Sequence, residues 1–216
     1  MKSIKYAIAA AALTLSGAAM AGPGWTFVEL GYDFGDNDVG NMGPFNAFSS
    51  KYEDGTKGYR LDGSLGFGSM YHAALKYGKS DYYKSQNYQT NSERRDYQVT
   101  LGIHPAVTDS TDLVVEINYL KSEYKSDALN GACCKYKDSG AGLAVGLRSM
   151  LSDTVEGNAK IGMQKTDLKD VEVALEAGGA WSFATNWAIT ADAKIGESES
   201  TIGAGIRWYL GQYNKL

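Results

Sequence analysis

The sequence predicts an all-β protein: a closed antiparallel up-and-down transmembrane β-barrel of about ten strands, with eight as the alternative count. Three observations predict it. An export signal opens the chain, apolar residues then occupy every second position from residue 25 to residue 210, and short connections alternate with connections that are longer on average. Successive side chains of a strand point to opposite faces, so this pattern gives each strand one apolar and one polar face.

The export signal consists of Lys2 and Lys5, an Ala-rich apolar stretch over residues 6–15, and the small-x-small cleavage site at residues 19–21. These features predict a cleaved signal peptide over residues 1–21 and a barrel domain over residues 22–216. The apolar stretch is shorter than the run of about 20 residues that a membrane-spanning helix needs. Any membrane insertion beyond it must therefore use strands.

The alternation predicts ten strands, at residues 25–34, 57–68, 70–80, 94–105, 111–122, 139–150, 154–165, 170–182, 187–197 and 200–210. In the last of them Ile202, Ile206 and Trp208 share one face, while Thr201 and Arg207 share the other. An even strand number brings both termini to the same side of the membrane, as single-chain bacterial outer-membrane barrels require.

The connections fall into two groups. Short ones are predicted at residues 68–70, 106–110, 151–153 and 184–186, and those between them at 35–56, 81–93, 123–138, 166–169 and 197–199. Short periplasmic turns and longer extracellular loops are typical of outer-membrane barrels. We expect the first three outer loops to carry most of the cell-surface area and the wall to be low at the last two.

The apolar residues at every second strand position, which we call the apolar parity, include no charged residue. Their aromatic members lie mostly near strand ends, as in the two girdles of a membrane barrel. The outer girdle is predicted to contain Tyr32, Tyr59, Tyr77, Tyr97 and Tyr119, and the periplasmic girdle Phe67, Tyr71, Trp181, Trp187 and Trp208. A soluble β-sandwich also alternates and is the competing interpretation. It explains neither the export signal nor the paired aromatic rims.

The polar parity is predicted to face the barrel lumen. Its main charges are Glu29, Arg60, Asp62, Lys76, Glu116, Arg148, Lys160, Glu176, Asp192, Lys194 and Arg207, and it also holds Asp33, Asp96, Gln98, Asn118, Glu156, Asn158, Gln164 and Glu172. Two interpretations stay open. Paired charges would occlude a narrow lumen, because unpaired charges away from bulk water are costly; alternatively, the lumen holds a narrow path for ions or small solutes.

Composition and histidine positions argue against several function classes. The formal net charge of −4 argues against nucleic-acid binding. Both histidines, His72 and His104, are expected at the periplasmic end, away from the outer rim where some barrel enzymes work. They could face each other and bind a metal, but no third ligand is evident, and polar rim residues that bond to water or backbone are the simpler interpretation. We predict no enzymatic activity, no catalytic residue and no cofactor.

Cys133 and Cys134 are adjacent in the third predicted outer loop, in an oxidising compartment. Neighbouring cysteines can pair only through a strained vicinal disulfide. A vicinal disulfide and unpaired or intermolecular thiols both stay open.

The segments Phe27-Val28-Glu29-Leu30-Gly31-Tyr32, Leu101-Gly102-Ile103-His104 and Gly203-Ala204-Gly205-Ile206-Arg207-Trp208-Tyr209-Leu210 resemble the small Gram-negative outer-membrane β-barrels typified by the OmpA membrane domain and OmpX. The resemblance implies that Ile206, Trp208, Tyr209 and Leu210 form a C-terminal insertion signal read by the barrel-assembly machinery. We expect a monomer in the outer membrane, in contact with its lipid and lipopolysaccharide. Its role would be structural or surface-interactive through the loops, with an unidentified extracellular ligand, and a narrow porin-like channel is the alternative.

Overall fold

A computed structural model describes residues 24–37, 53–84, 92–127, 133–197 and 199–210. In these ranges the chain forms eleven strands: β1 (Phe27–Asn37), β2 (Glu53–Phe67), β3 (Tyr71–Lys84), β4 (Ser92–Ile103), β5 (Ala106–Thr108), β6 (Thr111–Asp127), β7 (Cys133–Ser152), β8 (Val155–Thr166), β9 (Glu172–Ala184), β10 (Trp187–Gly196) and β11 (Glu199–Tyr209). Ten strands build a continuous wall, and the three-residue β5 pairs only with the start of β6. The predicted signal peptide lies outside the described residues.

The wall closes on itself. Each long strand pairs antiparallel with the next, β4 pairs directly with β6, and β1 pairs with β11. Tyr32 of β1 thus lies opposite both Tyr59 of β2 and Ala204 of β11. Closure leaves no sheet edge whose backbone groups would need water, which is the condition for crossing a bilayer with strands. The structure is a ten-stranded up-and-down barrel, and the eight-strand alternative is wrong. No helix in the described ranges is long and apolar enough to span a membrane.

The outer surface of the barrel is apolar. Leu30, Ile117 and Ile202 expose 61%, 55% and 64% of their surface, and the other large apolar side chains of the same parity are similarly bare. A soluble sandwich would bury this parity in a core, so that interpretation is wrong. A continuous apolar surface of this kind is stable only against hydrocarbon.

The interior is largely polar. Glu29, Arg60 and Glu116 are buried inside the wall, whereas the buried apolar residues of the described chain are few. A small apolar cluster of Met150, Ala180, Ala188 and Tyr209, with Phe27 packed against it, closes the end that carries the short turns, which we call the periplasmic end. At the first of these turns Gly68 has a φ of 62°, a left-handed conformation that glycine adopts without strain.

Several strand boundaries differ from the prediction at the opposite, extracellular end. The predicted loops 81–93 and 123–138 are partly strand, since β3 reaches Lys84, β4 starts at Ser92, β6 reaches Asp127 and β7 starts at Cys133. Above the membrane the outward side chains no longer need to be apolar, so the alternation ends while the backbone ladder continues. The wall is therefore tall over β2–β7 and low at the β8–β9 and β10–β11 connections, as predicted.

Two smaller differences lie at the periplasmic end. The predicted turn 106–110 contains β5, whose residues are exposed. The first predicted strand begins two residues late, at Phe27, because Trp25 and Thr26 do not join the ladder.

The Cα ladder places Cys133 opposite Asp127 and Cys134 opposite Ser126. The redox state of this cysteine pair stays a prediction.

Candidate functional site in the barrel lumen

The eleven predicted lumen charges all line one cavity of about 250 Å³ inside the barrel. They come from nine strands, so each strand contributes one or two charged side chains to a common space. The alternation brings them together because a closed sheet turns one parity of every strand toward the same axis. Most of these charges form two ion-pair clusters and one smaller group.

The first cluster surrounds the Arg60 guanidinium. Its Nη2 lies 2.8 Å from Glu29 Oε1, its Nη1 2.9 Å from Asp33 Oδ1, and its Nε 2.9 Å from Asp62 Oδ2. Asp192 binds it in a bidentate manner, with Nη2–Oδ1 at 2.5 Å and Nη1–Oδ2 at 2.9 Å. Arg60 is on β2 and Asp192 on β10, three strands away around the wall, so this contact crosses the lumen.

Glycines on β1 and β11 make room for this cluster. A Cβ on Gly203 would lie 2.3 Å from Asp33 Oδ1 and 3.1 Å from Arg60 Nη1, and one on Gly31 would lie 3.0 Å from Arg60 Nε. Such separations are shorter than van der Waals contact. The cluster therefore depends on two positions that carry no side chain.

The second cluster surrounds Glu156. Arg148 approaches it with Nε 2.8 Å from Oε1 and Nη2 2.9 Å from Oε2, and Arg207 Nη1 lies 3.1 Å from Oε1. Arg207 Nε also lies 2.8 Å from Glu29 Oε2, so Glu29 links this cluster to Arg60. Glu156 is fully buried between two arginines, which satisfies a carboxylate that could not otherwise stay charged there.

A smaller group forms around Glu116. Lys160 Nζ lies 2.9 Å from Glu116 Oε2 and 3.7 Å from Glu176 Oε2, and His72 Nε2 lies 3.2 Å from Glu116 Oε1. Lys76 and Lys194 line the cavity beside these groups.

Trp25 lies at the periplasmic mouth of the cavity, a position that the sequence did not predict. Its indole stacks on His104, with centroids 4.2 Å apart and planes 14° apart, and on His72, at 4.3 Å and 25°. The two imidazole centroids are only 5.5 Å apart, so they lie side by side under the indole. The guanidinium carbon of Arg148 is 4.3 Å from the indole centroid, and Trp25 Nε1 donates a hydrogen bond of 2.8 Å to Asp112.

The histidines thus lie inward at the periplasmic end and bind protein groups. His104 Nε2 lies 3.1 Å from the Tyr71 carbonyl oxygen, and His72 contacts Glu116. In the described ranges no group of three or more His, Cys, Asp or Glu side chains could hold a metal ion. What joins the histidines is the Trp25 ring.

The residues of the predicted insertion signal lie on both faces of the barrel wall. Ile206 and Trp208 are exposed on the lipid face, whereas Tyr209 is buried in the lumen and its hydroxyl donates to Glu156 Oε2 at 3.4 Å. The Leu210 amide donates to the Thr26 carbonyl oxygen and so holds the end of β11 to the chain before β1. Recognition of these residues by the assembly machinery stays a prediction.

No known family model matches the chain, and no curated protein matches it significantly. Solved structures with a similar fold include the β-domain of the Bordetella autotransporter BrkA, with 11% identity and a TM-score of 0.50, covering 86% of this chain and 99% of that one. OprG from Pseudomonas aeruginosa has 12% identity and a TM-score of 0.49, with coverage of 88% and 98%. Ail from Yersinia pestis has 15% identity and a TM-score of 0.46, with coverage of 86% and 99%.

At this identity the likeness concerns the fold alone. The closed ladder and the apolar outer surface decide the class. The protein is a small outer-membrane β-barrel. The likeness does not decide between a surface protein and a porin, and that choice depends on the lumen of this chain.

Proposed function

We propose that this protein is a non-enzymatic outer-membrane barrel with a sealed lumen, whose role is to present its extended hairpins outside the cell. The observation that carries the proposal is the contact of Arg60 with Asp192 across the lumen. A guanidinium held by four carboxylates fills the space that a solute path would need. Moving it aside would leave buried charges without partners, which costs several kcal/mol.

The periplasmic end supports the same conclusion. Trp25, stacked on His72 and His104, covers the mouth below the arginine clusters. At the same end of the barrel, Met150, Ala188 and Tyr209 form an apolar layer. Two barriers of different chemistry, one aromatic and one ionic, therefore lie in series along the barrel axis.

The extracellular extension supports a role in surface interaction. The β6 strand continues from the girdle residue Tyr119 to Asp127, which at the rise and tilt of barrel strands corresponds to about 20 Å above the lipid boundary. The extension is ordered by its own contacts, since the Tyr124 and Tyr136 rings lie 6.0 Å apart and Arg94 lies over Tyr124. Loops held by a rigid scaffold are where binding specificity is usually found.

The histidine environment supports the absence of catalysis. An enzyme at the extracellular rim would need a general base there. Both histidines of the chain lie at the periplasmic end, where His72 contacts Glu116 and His104 contacts the Tyr71 carbonyl.

Planar bilayer recordings on refolded protein test the sealed lumen. We expect no stepwise current from the wild type. The competing function is a narrow passive channel, favoured by the cavity of about 250 Å³ that Lys76 and Lys194 line. Stepwise wild-type currents whose ion selectivity changes in Lys76→Gln and Lys194→Gln would establish the channel and refute the sealed barrel.

An epitope tag inserted between Asp127 and Cys133 tests presentation at the cell surface. We expect antibody binding to intact cells, and the same binding after outer-membrane permeabilisation. A tag inserted after Ser152 in the β7–β8 turn is the matched control and should bind only after permeabilisation. The reverse pattern would show that the barrel has the opposite orientation.

A further inference from the structure

The outer wall carries an uneven distribution of charge above the outer aromatic girdle. We define the basic patch as the outward-facing lysines of β6, β7 and β8, namely Lys121, Lys125, Lys135, Lys137 and Lys165. Among the described side chains, the outward carboxylates beside them are Glu123, Asp167 and Glu93, which lies opposite Lys125 on β4. Five lysines beside three carboxylates leave the patch positive in a chain whose net charge is −4.

An apolar groove of about 510 Å³ lies directly below the basic patch, on the lipid-facing surface of β4, β6, β7 and β8. Its apolar lining includes Val99, Leu101, Ile117, Leu143, Met163 and Val171. The groove exists because the small side chain of Ala141 lies in the ladder between Tyr119 and Lys165, leaving a depression between two long neighbours. Its volume suits a hydrocarbon chain that runs toward the bilayer centre.

The groove has a cationic upper end. Lys165 lines it, is exposed, and makes no ion pair within the described part of the chain. Lys121 Nζ lies 3.0 Å and Lys137 Nζ 3.6 Å from the same Glu123 oxygen. The hydrogen bond from Lys121 lowers the pKa of Glu123, so this carboxylate stays charged at neutral pH. One carboxylate shared by two ammonium groups still leaves an excess of positive charge beside Lys165.

We propose that the groove and the basic patch form a binding site for a phosphorylated glycolipid of the outer leaflet, the lipopolysaccharide of the surrounding membrane. One acyl chain lies in the groove over Ala141, and a phosphate group binds Lys165 and Lys121. The lysines lie above the apolar groove along the membrane normal. A lipid with an anionic headgroup and an acyl chain has its charge and its hydrocarbon in the same order. The site goes beyond the sealed-barrel function and does not depend on it.

Native mass spectrometry of the refolded barrel with diphosphoryl lipid A tests the site by the fraction of protein that retains lipid. Ala141→Phe fills the groove without changing charge, and Lys121→Gln with Lys165→Gln removes charge without filling the groove. We expect each to lower retention at least fivefold. The matched controls are Ala204→Phe on β11 and Lys57→Gln on β2, both outward and outside the groove, and we expect them to stay within twofold of wild type.

A second comparison needs no variant. Wild-type protein should retain diphosphoryl lipid A at least fivefold better than the same lipid without its phosphates. Equal retention of the two lipids, unchanged retention in Ala141→Phe or in the lysine pair, or an equal loss in Lys57→Gln would overturn the proposal. Heat-modifiable gel migration verifies that each variant is folded, and a sealed or conducting lumen leaves these outcomes unchanged.

Discussion

The indole of Trp25 lies almost parallel to the imidazole of His104, with centroids 4.2 Å apart, although the two residues are far apart in the chain. Trp25 precedes β1 and His104 follows β4, so the stack holds the entry of the chain against a distant turn. The proposed closure of the lumen depends on this stack and on the Arg60 cluster, and separate substitutions can test each of them.

If the lumen is sealed as proposed, we expect that opening it requires the removal of both barriers. We predict that Trp25→Ala alone conducts no current in planar bilayers, because the Arg60–Asp192 contact still crosses the lumen. Adding the charge-balanced pair Arg60→Gln and Asp192→Asn should produce stepwise currents. Trp181→Ala in place of Trp25→Ala is the control, since Trp181 faces lipid at the same end. Currents from Trp25→Ala by itself would show that the ionic cluster is no barrier.

Removing the Arg60 side chain should be strongly destabilising. Arg60→Ala leaves Glu29, Asp33, Asp62 and Asp192 without their shared cation, and breaking a buried ion pair costs about 3–5 kcal/mol. Urea unfolding in lipid vesicles measures the free energy. Arg95→Ala is the matched control, because Arg95 pairs with Glu93 on the exposed surface, where such a pair contributes little to stability. Equal losses in the two variants would contradict the importance of the cluster.

Gly203→Ala tests the space around the same cluster without removing any charge. The new Cβ would lie 2.3 Å from Asp33 Oδ1, so the carboxylate must move away from Arg60. We expect a loss of about 1–3 kcal/mol in the same unfolding measurement, as for overpacked interiors. A Cβ on Gly63 meets nothing within 4 Å, so Gly63→Ala should be close to neutral. A neutral Gly203→Ala would mean that the cluster has room to rearrange.

The lipid-facing surface predicts a depth-dependent cost for charge. Leu101 is 52% exposed on the apolar belt, and Leu101→Lys should cost about 2–4 kcal/mol if it lies near the bilayer midplane. Val107 is 61% exposed but lies on β5 in the periplasmic turn, so Val107→Lys should have little effect. Unfolding in vesicles separates the two cases. Similar values for both lysines would show that Leu101 does not face hydrocarbon.

Most strands of the wall could be predicted because the alternation of apolar and polar side chains is a local property of each strand. Each strand alternates by itself, so the parity of Leu101, Ile117 or Ile202 is evident without any knowledge of its neighbours. The extracellular ends of β3, β6 and β7 were predicted too short for the same reason. Beyond the girdle both faces of a strand meet water, and the apolar parity disappears although the hydrogen-bonded ladder continues.

The lumen was predictable as a set of residues and not as a set of contacts. The inward parity included Glu156 and Arg60, but nothing in the sequence indicated that Arg60 would bind Asp192, 132 residues away, or that Glu156 would hold two arginines. The alternation predicts a first strand that begins at Trp25, whereas β1 begins at Phe27. No sequence pattern distinguishes an aromatic residue that begins a strand from one that turns into the barrel.

The alternation of side chains predicts the barrel class and the residues that face inward, since both follow from a period of two, and loop length predicts the direction of the barrel in the membrane. Ring closure decided which inward charges meet, because the partners come from strands on different sides of the wall and depend on the strand number and register. The arrangement of the lumen is therefore a property of the assembled cylinder, in which distant charges and an aromatic ring share a narrow space that no single segment contains.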